Sequence, residues 1–430
     1  MRPFRKRLLI LLSIAFISGC ETNEPENNAQ LKLTVEETSC TEAWVKIEYT
    51  SGFRISLQRN GTEIANFKLT GNDTTIIDET LEPSKTYSYS ANVAIFDGNI
   101  KAETTARTLD TTSHEFEWDV QEFGYQSSSL FSDVSVLRDD DIWAVGSIFQ
   151  PDSNGNEDGP PFGIVHWDGV KWTVKRMSLR LDSGYNLSLE PMGVMTFQSN
   201  DIWFVRGSAY YYNGKNITPY WLTLPEGNDN YIFKNNEWPT RIWGLSSKFL
   251  YVAGEKGALG FFDGNRWTKI ETNLGEEILF DLWGYNDSKT NMKGVFYVGG
   301  DRRVYKLNKD VPEVYADFNF NFYISSVWMM NERKVYIVGD SLRVGTKGHW
   351  KEVPGIKADY MKKIRGNGLN DIFILDWAGN IHHFNGMTWK TMKIFEREER
   401  FIFTISVKGN TVATAGLSNN NAIVAVGRRK

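Results

Sequence analysis

The chain has 430 residues, too many for one typical hydrophobic core, so two or more domains are expected. Aromatic residues make up 14 %, with 15 Trp, and the net charge is −5. An acidic chain with no basic tract in its body is a poor match for a phosphate backbone, which excludes nucleic acid from the expected partners.

Residues 1–19 read as a targeting segment. Arg2, Arg5, Lys6 and Arg7 form a charged start, and residues 8–17 form an apolar run too short to span a bilayer. Loss of those four cations takes the net charge from −5 to −9. Ile17-Ser18-Gly19-Cys20 resembles the bacterial lipobox. The resemblance implies cleavage before Cys20 and acylation of its sulfur, and two or more acyl chains suffice for stable anchoring. Residues 20–30 are polar and acidic, with no apolar anchor, and read as a flexible tether. An acidic stretch directly after the lipidated cysteine is similar to the surface-export signal of Bacteroidetes lipoproteins. That similarity implies a bacterial outer-membrane location with the chain exposed at the cell surface. The one other cysteine, Cys40, leaves no internal disulfide if Cys20 is acylated, and reads as a half-buried residue near a strand start.

Residues 31–109 carry seven short alternating runs: 31–35, 43–49, 53–58, 64–69, 74–77, 87–95 and 100–105. Ser51-Gly52, Asn60-Gly61, Gly71-Asn72 and Asp97-Gly98 supply turns between them. This is the pattern of an immunoglobulin-like sandwich. The segment 81–89, Leu-Glu-Pro-Ser-Lys-Thr-Tyr-Ser-Tyr, resembles the tyrosine-corner stretch of fibronectin type III domains, and Trp44 matches the buried Trp of that family. The resemblance implies a fibronectin type III-like spacer.

Residues 115–430 are repetitive. His166-Trp167-Asp168-Gly169 with Trp172, Phe261-Phe262-Asp263-Gly264 with Trp267, and His383-Phe384-Asn385-Gly386 with Trp389 are three copies of one hairpin. Tyr211-Tyr212-Asn213-Gly214 is a fourth without the Trp. Asp-Gly and Asn-Gly predict a two-residue type I′ turn with both central residues at positive φ. A second strand, Asp141-Ile142-Trp143-Ala144-Val145-Gly146, recurs near residues 201, 249, 295, 334, 371 and 411. Four short strands in each unit of roughly 40 residues make a propeller blade. The expected fold is therefore all-β: an immunoglobulin-like sandwich plus a seven-bladed β-propeller over 115–430. Six blades are the alternative if 192–221 is irregular. The last unit stops after its third strand at 422–427. Residues 114–120 are an orphan strand that can fill the gap and close the ring, removing open edges. This part resembles the propellers of Bacteroidetes surface lipoproteins with Ile-Trp-Ala-Val-Gly and His-Trp-Asp-Gly-x-x-Trp repeats.

Few residues point to chemistry. His166 and His383 share one slot of the repeat, which argues for packing, and His382 beside His383 faces the other way, so the pair cannot hold one metal. Asp152, Asn154, Asn156 and Asp158 are spaced by two, as Ca²⁺ ligands are, but Glu157 stands where the loop needs Gly and Gly163 where it needs a closing Glu. Beyond that option no cofactor is expected. The loops joining second to third strands and successive blades share one face. There Tyr185, Trp238, Phe320, Asp376 and Trp377 are the candidate ligand-binding residues, since exposed aromatics with nearby carboxylates suit sugar rings. The expected function is a lipid-anchored surface binding or scaffold protein for a glycan or protein ligand. The alternative is a polysaccharide-active enzyme, glycoside hydrolase or lyase, on the same face. The segments that break the repeat, above all the 147–163 loop, are the expected place for the ligand.

Overall fold

The computed structural model describes residues 30–96, 98–124, 128–156, 159–180, 184, 186–223, 231–234, 236–287, 292–308, 310–318, 322–358, 360–395 and 400–430. Every regular element among them is a β-strand. The chain divides into two compact units: Met1–Thr34, Lys46–Ile76 and Ser88–Thr104 in one, and Val35–Val45, Ile77–Tyr87 and Thr105–Lys430 in the other. The division passes through the 31–109 segment.

Seven strands between residues 32 and 107 form a three-stranded and a four-stranded sheet. In the smaller unit Ile55, Leu57, Ala91 and Val93 are buried and pair across neighbouring strands (Ile55 with Val93, Leu57 with Ala91). In the larger unit the Tyr87 hydroxyl accepts a hydrogen bond from the Glu82 amide at 2.9 Å. Trp44 is buried there with Trp328, Tyr336, Leu342 and Met361. Cys40 is also buried, and its Sγ lies 3.3 Å from the Asp110 carbonyl oxygen. Burial, with Asp110 beside it, pushes the thiol up to about 11, so the reactive thiolate is disfavoured.

The rest of the larger unit is seven four-stranded sheets among the described residues. Their first strands are Leu130–Arg138, Gly193–Gln198, Trp238–Ser246, Leu279–Asp287, Ile324–Met329, Met361–Gly368 and Arg400–Lys408. Each of the first six sheets is an antiparallel meander of consecutive strands. Each first strand packs on the first strand of the next sheet, and Arg400–Lys408 packs back on Leu130–Arg138, so the cycle closes. The second strands read as continuous apolar runs because both their faces are covered. Ile142, Trp143, Ala144 and Val145 are all buried, as are Ile372, Phe373, Ile374 and Leu375. Seven separate apolar clusters fill the seven junctions, including one of Val134, Ala144, Val165, Ala415 and Val424 between the seventh sheet and the first.

The seventh sheet draws its fourth strand from the start of this region. Phe116–Phe123 pairs antiparallel with Asn421–Arg429 in unbroken register from Ala422↔Phe123 to Arg429↔Phe116. Trp118 lies on Gly427, where a Cβ would sit 2.8 Å from the indole.

The Asp-Gly and Asn-Gly hairpins differ from the type I′ expectation. Gly169, Gly214, Gly264 and Gly386 have positive φ, but Asp168, Asn213, Asp263 and Asn385 do not. Trp167 pairs with Trp172, so four residues make the turn. The side chain of its first residue sets the conformation. Asp168 Oδ1 accepts from the amides of Val170 (3.0 Å) and Lys171 (2.8 Å). Asn213, Asp263 and Asn385 make the same pair of bonds in their own turns. An Asx side chain capping its own turn has replaced the second positive φ.

The two repeat-slot histidines pack as expected. His166 stacks on Trp143 with ring centroids 4.0 Å apart and bonds Asp141, and His383 stacks on Phe373 at 4.4 Å and bonds Asp371. At the closing strand, His114 Nδ1 lies 2.8 Å from His383 Nδ1. One ring must donate and the other accept, so both cannot be cations. Burial, then His383, Lys390 and Arg429, holds His114 down to about 4, with Glu115 opposing. Its folded pKa lies below the ordinary value near 6.5, so this latch is fully present above pH 6.5 and is lost as pH falls toward 4. We expect urea unfolding between pH 7.5 and 4.5 to show about 2 kcal/mol more acid destabilisation in the native chain than in His114→Asn, after allowance for partial exposure. Equal slopes would remove His114 from the latch.

Candidate functional site

A cavity of about 1020 Å³ opens between the second and third sheets. Its walls are the segments that depart from the four-strand repeat. After the first sheet the chain forms an extra hairpin, Met177–Arg180 with Asn186–Leu189, in register from Met177↔Leu189 to Arg180↔Asn186. Met177 and Leu189 point into the core between the first two sheets and fix the hairpin there. Leu187 to Pro191 line one side of the cleft. After the second sheet, among the described residues, Leu222 and Phe233 are buried, and a parallel bridge joins Thr223 to Phe233.

The floor is the tight turn Arg206-Gly207-Ser208 between two strands of the second sheet. Gly207 has φ +66°, and a Cβ there would lie 2.7 Å from the Trp238 ring. The absence of a side chain therefore seats the indole, and the left-handed backbone permits the turn. Thr223 Oγ1 lies 2.8 Å from Gly207 O and 3.0 Å from Glu237 O, and Ser208 Oγ accepts from the Leu222 amide at 3.1 Å. These bonds tie Leu222 and Thr223 to the turn, and Thr223 to Glu237.

Trp221 and Trp238 are each 37 % exposed, while Tyr210, on the strand Ser208–Tyr212, is buried and meets Trp221 edge-on at 6.2 Å. Burial pushes the Tyr210 hydroxyl up to about 12, so it is neutral, and it hydrogen-bonds with Ser208. Arg206 and Lys256 bring cationic groups to the lining. Among the described lining residues Glu190 is the one carboxylate. It pairs with Arg206 at 3.4 Å and accepts from Ser147 Oγ. Two part-exposed indoles, a neutral phenol and fixed charges can stack on a flat apolar group and orient it by hydrogen bonds.

Of the residues nominated from sequence, Trp238 is in this cleft. Tyr185, Phe320, Asp158 and Cys20 lie outside the described residues. Trp377 is 56 % exposed on a different part of the chain, in the turn after Asp371–Asp376. Lys362 Nζ sits 4.2 Å over its ring, and burial lowers that ammonium to about 8 against the pull of Asp376. Asp376 is buried and builds the turn, accepting from the Asn380 amide at 2.8 Å and facing His382 Nε2 at 3.1 Å. Asp152 Oδ1 accepts from the amides of Asn154 (2.8 Å) and Asn156 (3.0 Å), which shapes the loop from within. No cluster of three or more His, Cys, Asp or Glu suited to a metal occurs among the described residues. The 147–163 loop supports the cleft from behind. Ser188 Oγ donates to Pro161 O at 3.2 Å, and Ser147 reaches Glu190. Trp221, Tyr210, Arg206 and Glu190 were not singled out in the sequence. The available signal was the short Arg206-Gly207-Ser208 turn, where the first repeat has a long loop.

No protein family and no curated protein sequence matches the chain. Solved structures do. YCF48 bound to a D1 peptide is similar over 74 % of this chain and 99 % of that one, at 13 % identity and a TM-score of 0.52. YCF48 from Cyanidioschyzon merolae is similar over 72 % and 98 %, at 11 % identity and TM-score 0.50. The WD40 β-propeller domain of Doa1 is similar over 74 % and 98 %, at 8 % identity and TM-score 0.51. At these identities the likeness establishes the fold: the chain contains a β-propeller.

Gly207→Ala tests the seat of Trp238. It is expected to cost about 1–2 kcal/mol in chemical denaturation, from the left-handed backbone and the displaced ring. It should also alter tryptophan fluorescence, and that change should vanish in a Trp238→Phe background. An unchanged spectrum would show that the indole does not rest on Gly207.

Proposed function

We propose that this protein is a lipid-anchored, cell-surface binding protein of the bacterial outer membrane, built as anchor, spacer and recognition ring. Cys20 carries the lipid and residues 20–30 form the tether. A fibronectin type III-like sandwich over residues 31–109 forms the spacer, and a seven-bladed propeller carries the ligand. The seven four-stranded sheets, their seven junction cores and the Phe116–Phe123 closing strand support the blade count. The Tyr87 bond to the Glu82 amide supports the sandwich, because tyrosine corners bond the backbone a few residues upstream.

One observation carries the binding reading: the cleft beside Gly207, with Trp221 and Trp238 part-exposed over a locked floor. Its size suits an extended segment of a partner protein. A propeller of the same fold is described with a bound peptide, which agrees with that class of ligand. The paired indoles also favour a second reading, a glycan whose apolar ring faces stack on them. A glycosidase needs two carboxylates flanking the scissile bond. The described cleft supplies Glu190 alone, already engaged by Arg206 and Ser147, so binding without turnover is the better account. The contacts use side chains only and need no cofactor.

Parallel selection of the purified chain on a displayed peptide library and a glycan array tests this. Ligands selected on the native protein should bind Trp238→Ala at least tenfold more weakly, as expected for a central aromatic anchor. Equal binding to that variant places the ligand elsewhere, and release of sugars from any bound glycan overturns the binding-only reading. Separately, labelled palmitate should enter the full chain and be absent from Cys20→Ala.

A further inference from the structure

The centre of the ring holds a charged layer that the ligand cleft does not use. Several first strands carry a register shift just after they begin, and the residue that follows the shift faces the channel. These residues include Arg241, Asp281, Lys363 and Thr404. Asp133 from the first sheet and Arg365, two residues beyond Lys363, complete the charged lining.

The two carboxylates are fully committed. Asp133 accepts from Thr404 Oγ1 at 2.8 Å and from the Val194 amide at 3.1 Å. Asp281, 1 % exposed, takes Lys363 Nζ at 2.6 Å, Arg365 Nη2 at 2.7 Å and Nη1 at 3.0 Å, and the Ser326 hydroxyl. Burial alone would raise the Asp281 carboxyl, but Arg365 and Lys363 hold it well below the usual carboxylate range. The cations are not satisfied in the same way. Lys363, 9 % exposed, has Asp281 as its one hydrogen-bond partner among the described residues, which leaves two N–H groups. Arg241 has a single long bond, 3.4 Å, to its neighbour's carbonyl at Thr240, and no carboxylate partner among the described residues. Burial, with repulsion from Arg365 and Arg241, outweighs Asp281 and pulls the Lys363 ammonium below the usual lysine range.

Three cations thus face two carboxylates around a cavity of about 100 Å³. Arg241 is part-buried, and a charge drawn partly out of water without a counter-charge carries a desolvation cost that a counter-ion offsets. A guanidinium presents parallel donors that match an oxyanion, and the spare Lys363 donors face the same space. We propose that the propeller channel is a binding site for a small oxyanion of the phosphate or sulfate class, held by Arg241 and the free donors of Lys363. The bound ion supplies the counter-charge that Arg241 lacks and ties the first strands of the third and sixth blades together.

Thermal unfolding of the full chain in sodium phosphate and in sodium sulfate, at constant ionic strength kept with sodium gluconate, is the test. Gluconate is too large for the cavity. The melting temperature should rise and saturate with either oxyanion, as site binding requires. Arg241→Gln should shift the half-saturating concentration at least tenfold upward, and Arg241→Lys should fall between. Lys351→Ala, at an exposed strand position that lines neither the channel nor the cleft, should behave as the native chain. A rise that never saturates, a response to chloride but to neither oxyanion, or an equal response in Arg241→Gln each overturns the site. If Arg241→Gln fails to fold, selenate soaked into crystals of the native chain decides: its anomalous peak falls in the channel, or the proposal fails.

Discussion

Each sheet of the larger unit is apolar on both faces, and that constraint governs the rest. The second strands bury Ile142, Val145, Ile202, Val252, Phe296, Ile337 and Ile374 with no face left for solvent. Such a sheet is stable only between two others. A linear array would end in two uncovered faces and open edges, so the chain must return on itself. It does so through one pairing, Phe116–Phe123 on Asn421–Arg429, which brings the first and last sheets together over Val134, Ala415 and Val424. The two ends of a 300-residue region are thereby made neighbours, and every junction core depends on that contact holding.

A closed ring of similar units leaves recognition to the departures from similarity. The strand cores are committed to packing: His166 stacks on Trp143 and bonds Asp141, and His383 stacks on Phe373 and bonds Asp371. The extra hairpin of Met177–Arg180 with Asn186–Leu189, and the Thr223–Phe233 bridge after the second sheet, are not needed by any repeat. They are also what turns the gap between the second and third sheets into a cleft. Rigid sheets place these segments, and short polar bonds from Thr223, Ser208 and Ser147 fix them, which is the arrangement expected when loops on a firm scaffold carry function.

Much of this architecture is legible along the chain because its signals are local. The buried second strands declare themselves as continuous apolar runs, and the missing last strand with the unclaimed 114–120 segment points to closure. The hairpin turns were legible in place but not in kind. Dipeptide preference favours a type I′ turn, while the side-chain oxygens of Asp168, Asn213, Asp263 and Asn385 reach the following amides and impose another. The cleft was legible only through Trp238. Trp221 and Glu190 owe their positions to Gly207 and to a hairpin whose docking depends on tertiary burial of Met177 and Leu189. The channel network is still less visible. Asp281 meets Lys363 and Arg365 across 82 and 84 residues, and no periodicity along a single strand marks that meeting.

Closure of the ring is most directly tested by native-state hydrogen exchange on the two strands that make it. If Phe116–Phe123 is the fourth strand of the last sheet, its hydrogen-bonded amides exchange as slowly as those of Asn421–Arg429. Both strands then open together, at the free energy of global unfolding. If the amides of 116–123 exchange as a frayed terminus does, while the seven sheets stay protected, the ring does not depend on that strand and the account of its closure is wrong.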